Sequence, residues 1–143
     1  MESTLQQLQQ NTYPGRGILA GAAPDGRAVF AYFLTGRSEN SRNRRLREDG
    51  ASLRIEFADP SKVEDPSLVF YTPVRALADC LIVTNGDQTE TIFEALQAGH
   101  SFRQALDTRR FEPDAPHYTP RISALLARDG IDLSIVRRAG CDG

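Results

Sequence analysis

Five arginines fall within thirteen residues in the run Thr35-Gly36-Arg37-Ser38-Glu39-Asn40-Ser41-Arg42-Asn43-Arg44-Arg45-Leu46-Arg47. A guanidinium is a rigid fork of donors that can meet two oxygens of a phosphate at once, and Ser38, Asn40, Ser41 and Asn43 set short hydrogen-bonding side chains between the forks. That is the composition of an oxyanion or phosphate clamp. A solvated connection between strands has the same composition, so on these residues alone both readings stand. Further polar groups lie at or just beyond the ends of predicted strands: Gly15-Arg16, Tyr71, Thr84-Asn85-Gly86-Asp87, Glu112 and Thr119-Pro120-Arg121. None is specific singly: a Tyr is more often a rim aromatic, Asn-Gly a turn, and a Glu a solvated charge.

Other chemistries find little support. His100 and His117 sit in no triad motif, and neither a Gly-x-Ser-x-Gly elbow nor a P-loop is present. Two histidines scattered with Cys80 and Cys141 make a poor metal-ligand set and no disulfide framework. What remains is a set of Arg, Tyr, Glu, Asn and Ser, which suits metal-free chemistry on a phosphorylated small molecule by positioning and proton transfer.

The elements that must carry these groups follow from pattern. Ser3 or Thr4 caps a short helix through Asn11, with Leu5 and Leu8 spaced to dock. Ile18 to Ala22 and Ala28 to Thr35 read as strands joined by the Pro24-Asp25-Gly26-Arg27 turn, an antiparallel hairpin that feeds the arginine run as a loop. Leu53, Ile55 and Phe57 alternate with Arg54 and Glu56 as a half-buried strand does. Leu68 to Tyr71 and Asp79 to Thr84 are further strands, and Asn85-Gly86 predicts a tight turn with positive dihedrals. Ile92, Phe93 and Leu96 place a helix over Gln88 to Ala98, stopped by Gly99. Ser101 and Gln104 form a capping box for a second helix to about Arg109. Ile122 to Ala127 and Ile131 to Val136 close as a hairpin. The fold class is α+β with antiparallel sheet.

At 143 residues a single domain spanning 1–143 is expected. A net charge of -2 makes the arginine run a local patch on an acidic background, which favours a small anion over a nucleic acid. No basic leader or membrane-length apolar run occurs, so the expectation is a cytoplasmic protein without membrane or nucleic-acid partners. Oligomeric state stays open, a homo-oligomer included.

Taken in order, Gly15-Arg16-Gly17-Ile18-Leu19-Ala20, Gly36-Arg37-Ser38 with Asn43-Arg44, Thr84-Asn85-Gly86-Asp87-Gln88-Thr89 and Thr119-Pro120-Arg121-Ile122 resemble the successive blocks of the IMP cyclohydrolase family, the archaeal-type enzyme and its bacterial relatives. The resemblance covers nearly the whole chain. It implies a four-layer αββα sandwich like that of N-terminal-nucleophile hydrolases, without the N-terminal nucleophile, and Met1-Glu2 agrees with that. It implies ring closure of formamido-imidazole-carboxamide ribotide (FAICAR) to IMP with loss of water and no cofactor, a hydrolase-class step on a cyclic amidine. It also implies catalytic roles for Arg44, Tyr71 and Glu112, with the acid and base roles of the last two undivided. Arg16, Arg37, Ser38, Arg42, Asn43, Asn85, Gly86, Thr119 and Arg121 are placed against the purine ribonucleotide. More residues separate Gly36-Arg37-Ser38 from Asn43-Arg44 than in the archaeal pattern, which leaves Arg42 and Arg44 competing for one position. Family members also continue beyond the equivalent of Gly143, so a short or partner-completed domain is expected, and a nucleotide-binding module with impaired turnover is the alternative function.

Overall fold

The computed structural model describes residues 3–63 and 71–140. Helix α1 (Thr4–Gln10) begins at Ser3, whose hydroxyl accepts from the Gln6 N–H while the Gln6 side chain answers the Ser3 N–H. Of the two capping residues the sequence offers, Ser3 is the one used, and Gln6 makes the cap reciprocal. The expected docking of this helix is only partial: none of its residues is buried, Leu5 is 65% exposed, and Leu8 is half-buried.

Strands β1 (Arg16–Ala22) and β2 (Ala28–Leu34) form a separate two-stranded antiparallel sheet, with Ile18 opposite Tyr32 and Ala20 opposite Phe30. The turn between them closes through Ala23 and Arg27, with Gly26 at φ +83°, a conformation costly for any residue with a Cβ. The second sheet has six antiparallel strands in chain order: β3 (Arg44–Asp49), β4 (Ser52–Phe57), β5 (Val74–Leu77), β6 (Cys80–Thr84), β7 (Arg121–Ala127) and β8 (Gly130–Val136).

One face of the six-stranded sheet carries α3 (Gln88–Gln97) and α4 (Phe102–Asp107), and the other carries the β1–β2 hairpin. Alternation in β6 shows why. Ile82 joins Ile92, Phe102, Ala105 and Leu106 under the helices, while its neighbour Val83 joins Val74, Ala124 and Leu126 beneath Ile18, Phe30 and Tyr32 of the hairpin. Successive strand residues point to opposite faces, so a strand apolar at consecutive positions is covered on both.

Three expectations are corrected. The arginine run is not one loop: Glu39–Arg42 forms a one-turn helix, α2, capped reciprocally by Ser38 and Ser41, and Arg44, Arg45 and Arg47 lie in β3. Strand β5 follows Pro73 directly, where the sequence suggested only an interruption. The Asn85-Gly86 pair does not adopt the positive dihedrals of a tight turn, since the left-handed glycines are Gly15, Gly26, Gly50 and Gly99. The strand expected from Leu68 lies outside the described residues except for Tyr71, which is in coil just before β5. The helix at Phe102 ends at Asp107, two residues earlier than expected.

Candidate active site at the end of the hairpin

Arg16, the first residue of β1, brings together three segments remote in sequence. Its Nη1 donates to the backbone carbonyl of Asn85 at 2.6 Å, and its Nη2 donates to Glu112 Oε2 at 3.0 Å. Tyr71 also interacts with this guanidinium. Burial alone would disfavour the charged form of Arg16, but Glu112 and then Tyr71 outweigh it and raise its pKa. Arg16 is therefore a fixed cation that holds a carboxylate and a phenol at one point.

Each partner is mounted by backbone pairing. Tyr71 sits beside β4 because its carbonyl accepts from the Ile55 N–H at 3.4 Å. Glu112 is in coil, yet its N–H donates to the Thr119 carbonyl at 2.9 Å, which ties it to the approach to β7. Asn85, 2% exposed, works through its side chain: Oδ1 accepts from Ile122 N (3.0 Å) and Gln88 Nε2 (2.9 Å), and Nδ2 donates to the Pro120 carbonyl (2.8 Å). Asn85 thus locks the junction of β6, α3 and β7 and leaves its main-chain carbonyl for Arg16. Gly86 is glycine for space. A Cβ there would stand 2.7 Å from Gln88 Oε1, 3.1 Å from an Arg121 nitrogen and 3.2 Å from Glu112 Oε1.

Arg121 is nearby but engaged. Its Nε donates to the Arg110 carbonyl (2.7 Å) and its Nη1 to Asp87 Oδ1 (2.5 Å) and Gln88 Oε1 (3.0 Å). Burial would raise the Asp87 pKa, but the hydrogen bond from Arg109 and the charge of Arg121 prevail and hold it below the ordinary carboxylate value. Thr119 is also locally bound, with its N–H and hydroxyl both donating to Asp114.

The arginine run contributes unequally. Arg44 turns back on its own segment, donating from Nε to the Ser41 carbonyl (2.6 Å) and from Nη2 to the Thr35 carbonyl (3.3 Å), and its charge acts on Tyr32. Thr35, Gly36, Ser41, Arg42, Arg44 and Arg45 line a groove of about 520 Å³. Arg37 lies over the ring of Tyr13 at 4.7 Å. Ser38 caps α2, and buried Asn43 clasps Asp59 by two 2.7 Å bonds, Nδ2 to the Asp59 carbonyl and Asp59 N–H to Oδ1. The structure therefore brings Arg16, Tyr71, Asn85, Gly86 and Glu112 to one point, with Arg121 and Arg44 beside it. Ser38, Asn43 and Thr119 serve local hydrogen bonding, and Arg37 stacks.

One residue of this cluster is not among the sequence candidates. Tyr32 Oη lies 2.7 Å from Tyr71 Oη. Its signal was a tyrosine at an inward position of an apolar strand, where the phenol oxygen needs a partner once buried. Burial first, and Tyr71 next, push its pKa well above the usual phenol range against the opposing charges of Arg16 and Arg44. The cluster so assembled contains a cation, a carboxylate and two phenols, the parts of a proton-transfer site. Among the described residues no group of three His, Cys, Asp or Glu side chains could hold a metal ion, and no helix is long and apolar enough to cross a membrane.

A family model described as IMP cyclohydrolase-like protein matches residues 13–142. The IMP cyclohydrolase of Methanopyrus kandleri is 37% identical over 116 residues, covering 79% of this chain and 58% of that protein. Those of Methanococcus maripaludis strain C7 and Methanocella arvoryzae are 27% identical over 128 residues and 30% identical over 133 residues, covering 87% and 90% of this chain and 63% and 64% of theirs. The chain thus spans 58% to 64% of the length of these relatives. With the family's model matched from Tyr13 almost to its last residue, this chain belongs to the family of IMP cyclohydrolase-like proteins.

Proposed function

We propose that the protein closes the second ring of the purine by converting FAICAR to IMP, and that the Arg16-centred cluster is where it does so. The observation that carries the reading is the convergence on Arg16 of Glu112 and Tyr71, two proton-transfer groups from segments far apart in the chain. The carboxamide nitrogen attacks the formyl carbon of the same molecule, forming the new C–N bond. The formyl oxygen then leaves as water with one proton from the carboxamide nitrogen and one from the formamide nitrogen. Nothing is oxidised or reduced and no group comes from outside, so side chains able to hold and move protons suffice, without metal or cofactor. Folding the reacting groups together supplies several kcal/mol of the barrier through effective molarity.

In this scheme Tyr71 and Glu112 carry the protons, and Arg44 stabilises negative charge developing on the formyl oxygen. Arg16, Arg37, Ser38, Arg42, Asn43, Asn85, Gly86, Thr119 and Arg121 contact or frame the ribonucleotide, those already engaged with protein partners acting through backbone placement. The groove beside Arg42, Arg44 and Arg45 has a largely apolar floor of Phe33, Leu34 and Leu46, and its three guanidinium groups are the donors at its rim that would meet the phosphate. The domain is read as a single unit over 1–143 acting in the cytoplasm on a small-molecule substrate, without nucleic-acid or membrane partners. The four-layer αββα arrangement is part of the same reading. Leu19 and Val29, 49% and 48% exposed on the outer face of the hairpin, are the apolar surface a second helical layer would cover.

The test is incubation of the purified protein with FAICAR while following the ultraviolet change on ring closure, with IMP binding measured by calorimetry. Turnover reduced by Tyr71→Phe and by Glu112→Gln in folded protein is the expected result. Binding of IMP without turnover would instead make the chain a purine-nucleotide-binding module.

A further inference from the structure

We propose that Tyr32 is a positioning residue: its hydroxyl donates to Tyr71 Oη and thereby aims the proton of Tyr71 into the site, which makes Tyr71 the acid and Glu112 the base. The inference rests on the cyclohydrolase reading of this cluster.

The geometry begins with β2. Tyr32 pairs with Ile18 across the hairpin and points inward between the two sheets, packed against the cluster of Val74, Val83, Ala124 and Leu126. From that apolar setting its oxygen emerges 2.7 Å from the oxygen of Tyr71. The groups that face it are Tyr71 from the coil before β5, Arg16 from β1 and Arg44 from β3.

The 2.7 Å contact fits a donor at either oxygen, and the neighbours of the pair favour Tyr32 as the donor. A guanidinium has donors only, so the interaction of Arg16 with the Tyr71 phenol occupies an acceptor position on Tyr71. Burial keeps Tyr32 in its protonated form, so it always has a hydrogen to give. A phenol oxygen that accepts from both Arg16 and Tyr32 directs its own O–H away from both, toward a third partner. Were Tyr71 instead to donate to Tyr32, its proton would be turned away from a substrate and toward the core. Glu112, paired with Arg16 at 3.0 Å, brings its carboxyl group to the same point and is the complementary proton acceptor. In ring closure, Glu112 takes the proton of the attacking carboxamide nitrogen and Tyr71 gives its proton to the formyl oxygen; the proton held by Glu112 then completes the departing water, and the formamide N–H proton returns to Tyr71.

Two measurements test this. In the first, the exchange-protected hydroxyl proton of the pair is located by NMR in tyrosine-labelled protein without ligand. It should correlate with the Tyr32 ring and vanish in Tyr32→Phe; correlation with the Tyr71 ring overturns the proposal whatever the activity of the protein. In the second, Tyr32→Phe should lower kcat for FAICAR about 10- to 100-fold with KM within about twofold. The Tyr32→Phe/Tyr71→Phe double variant should then be no slower than Tyr71→Phe alone, because Tyr32 acts only through Tyr71. A wild-type kcat in Tyr32→Phe, or losses that multiply in the double variant, overturns the proposal. So does a Tyr32→Phe protein without cooperative melting or IMP binding, since Tyr32 would then be a packing residue. Failure of wild-type turnover is a different outcome: it removes the cyclohydrolase reading, while the NMR measurement still decides the direction of the bond.

Discussion

Arg16 and Arg42 show two ways an arginine can be read from a sequence. Arg42 belongs to the densest basic run in the chain, where composition alone suggests a clamp, and it borders an open groove beside Arg44 and Arg45. Arg16 stands alone between glycines, yet it joins Asn85 and Glu112, residues 69 and 96 positions away, and its side chain is 18% exposed. An exposed arginine interacts weakly with its neighbours because water and salt screen it. A largely buried one must be paired, and its partners are thereby fixed in place. Convergence from distant segments is therefore a stronger ground for the proposed proton-transfer site than local charge density.

The largest expected effect follows from that distinction. Glu112→Gln keeps the shape of the side chain and removes the carboxylate that faces Arg16, and turnover of FAICAR should fall about 10²- to 10⁴-fold. Circular dichroism and the thermal midpoint should show a folded protein. Retained turnover would mean that the buried pair is structural and that the chemistry belongs to the exposed run.

The next effect separates neighbours within the run. Arg44→Met should lower kcat/KM about 10²-fold or more if its charge acts on the site it flanks. Arg42→Met should change KM by no more than about threefold, in a salt-dependent way, as a solvated phosphate contact would. The reverse ranking would place Arg42 in the position here given to Arg44.

How much of this was legible in the sequence depended on whether the signal was local. The hairpin at Pro24-Asp25-Gly26, the helix start at Ser3 or Thr4, the capping box at Ser101, and the periodic helix through Ile92 each lie within a few residues, and each was found. Strand β3 was hidden because it is an edge strand whose outward positions are charged. Arg45 and Arg47 reach Glu56 on β4, so side chains that look like a loop are a cross-strand ion pair. Strand β5 was hidden by Pro73 at its entry and its length of four residues. In the site, Glu112 carried only the weak signal of a polar group near a predicted strand; the family resemblance gave it a role, because a carboxylate in coil is ordinarily solvated. Tyr32 read as one more strand aromatic, since a hydroxyl partner 39 residues away leaves no trace in the pattern of β2.

A smaller effect concerns the frame rather than the chemistry. Gly86→Ala places a Cβ where Gln88 Oε1 now lies at 2.7 Å, and both Gln88 and the chain at Asn85 are buried. Relief requires movement of the junction that presents the Asn85 carbonyl to Arg16. The cost should be about 1–3 kcal/mol, read as a lowered denaturation midpoint at unchanged slope. If the midpoint does not move, the junction is looser than its hydrogen bonds indicate, and the precision argued for Arg16 is lost with it.

The smallest effect is a pH dependence from the second arginine cluster. Asp87 precedes α3 but makes no side-chain cap bond, because its carboxylate is taken by Arg109 and Arg121. Its pKa in the folded protein lies below the ordinary value of 3.8, since these partners outweigh the burial that would raise it. A carboxylate depressed in the folded state binds its proton more readily when unfolded. Its contribution to stability is therefore complete above the unfolded value and is lost as pH falls through the lower, folded one. Asp87→Asn should remove this acid-side loss, so that the stabilities of wild type and variant approach each other as pH falls below about 4. Because the Asp87 side chain is 62% exposed, the difference should be small and should shrink in high salt. A difference that instead persisted unchanged at low pH would show that Asp87 serves Arg121 as a neutral hydrogen-bond partner. Arg121 would then be held by Gln88 and the Arg110 carbonyl, the buried acceptors that do not titrate.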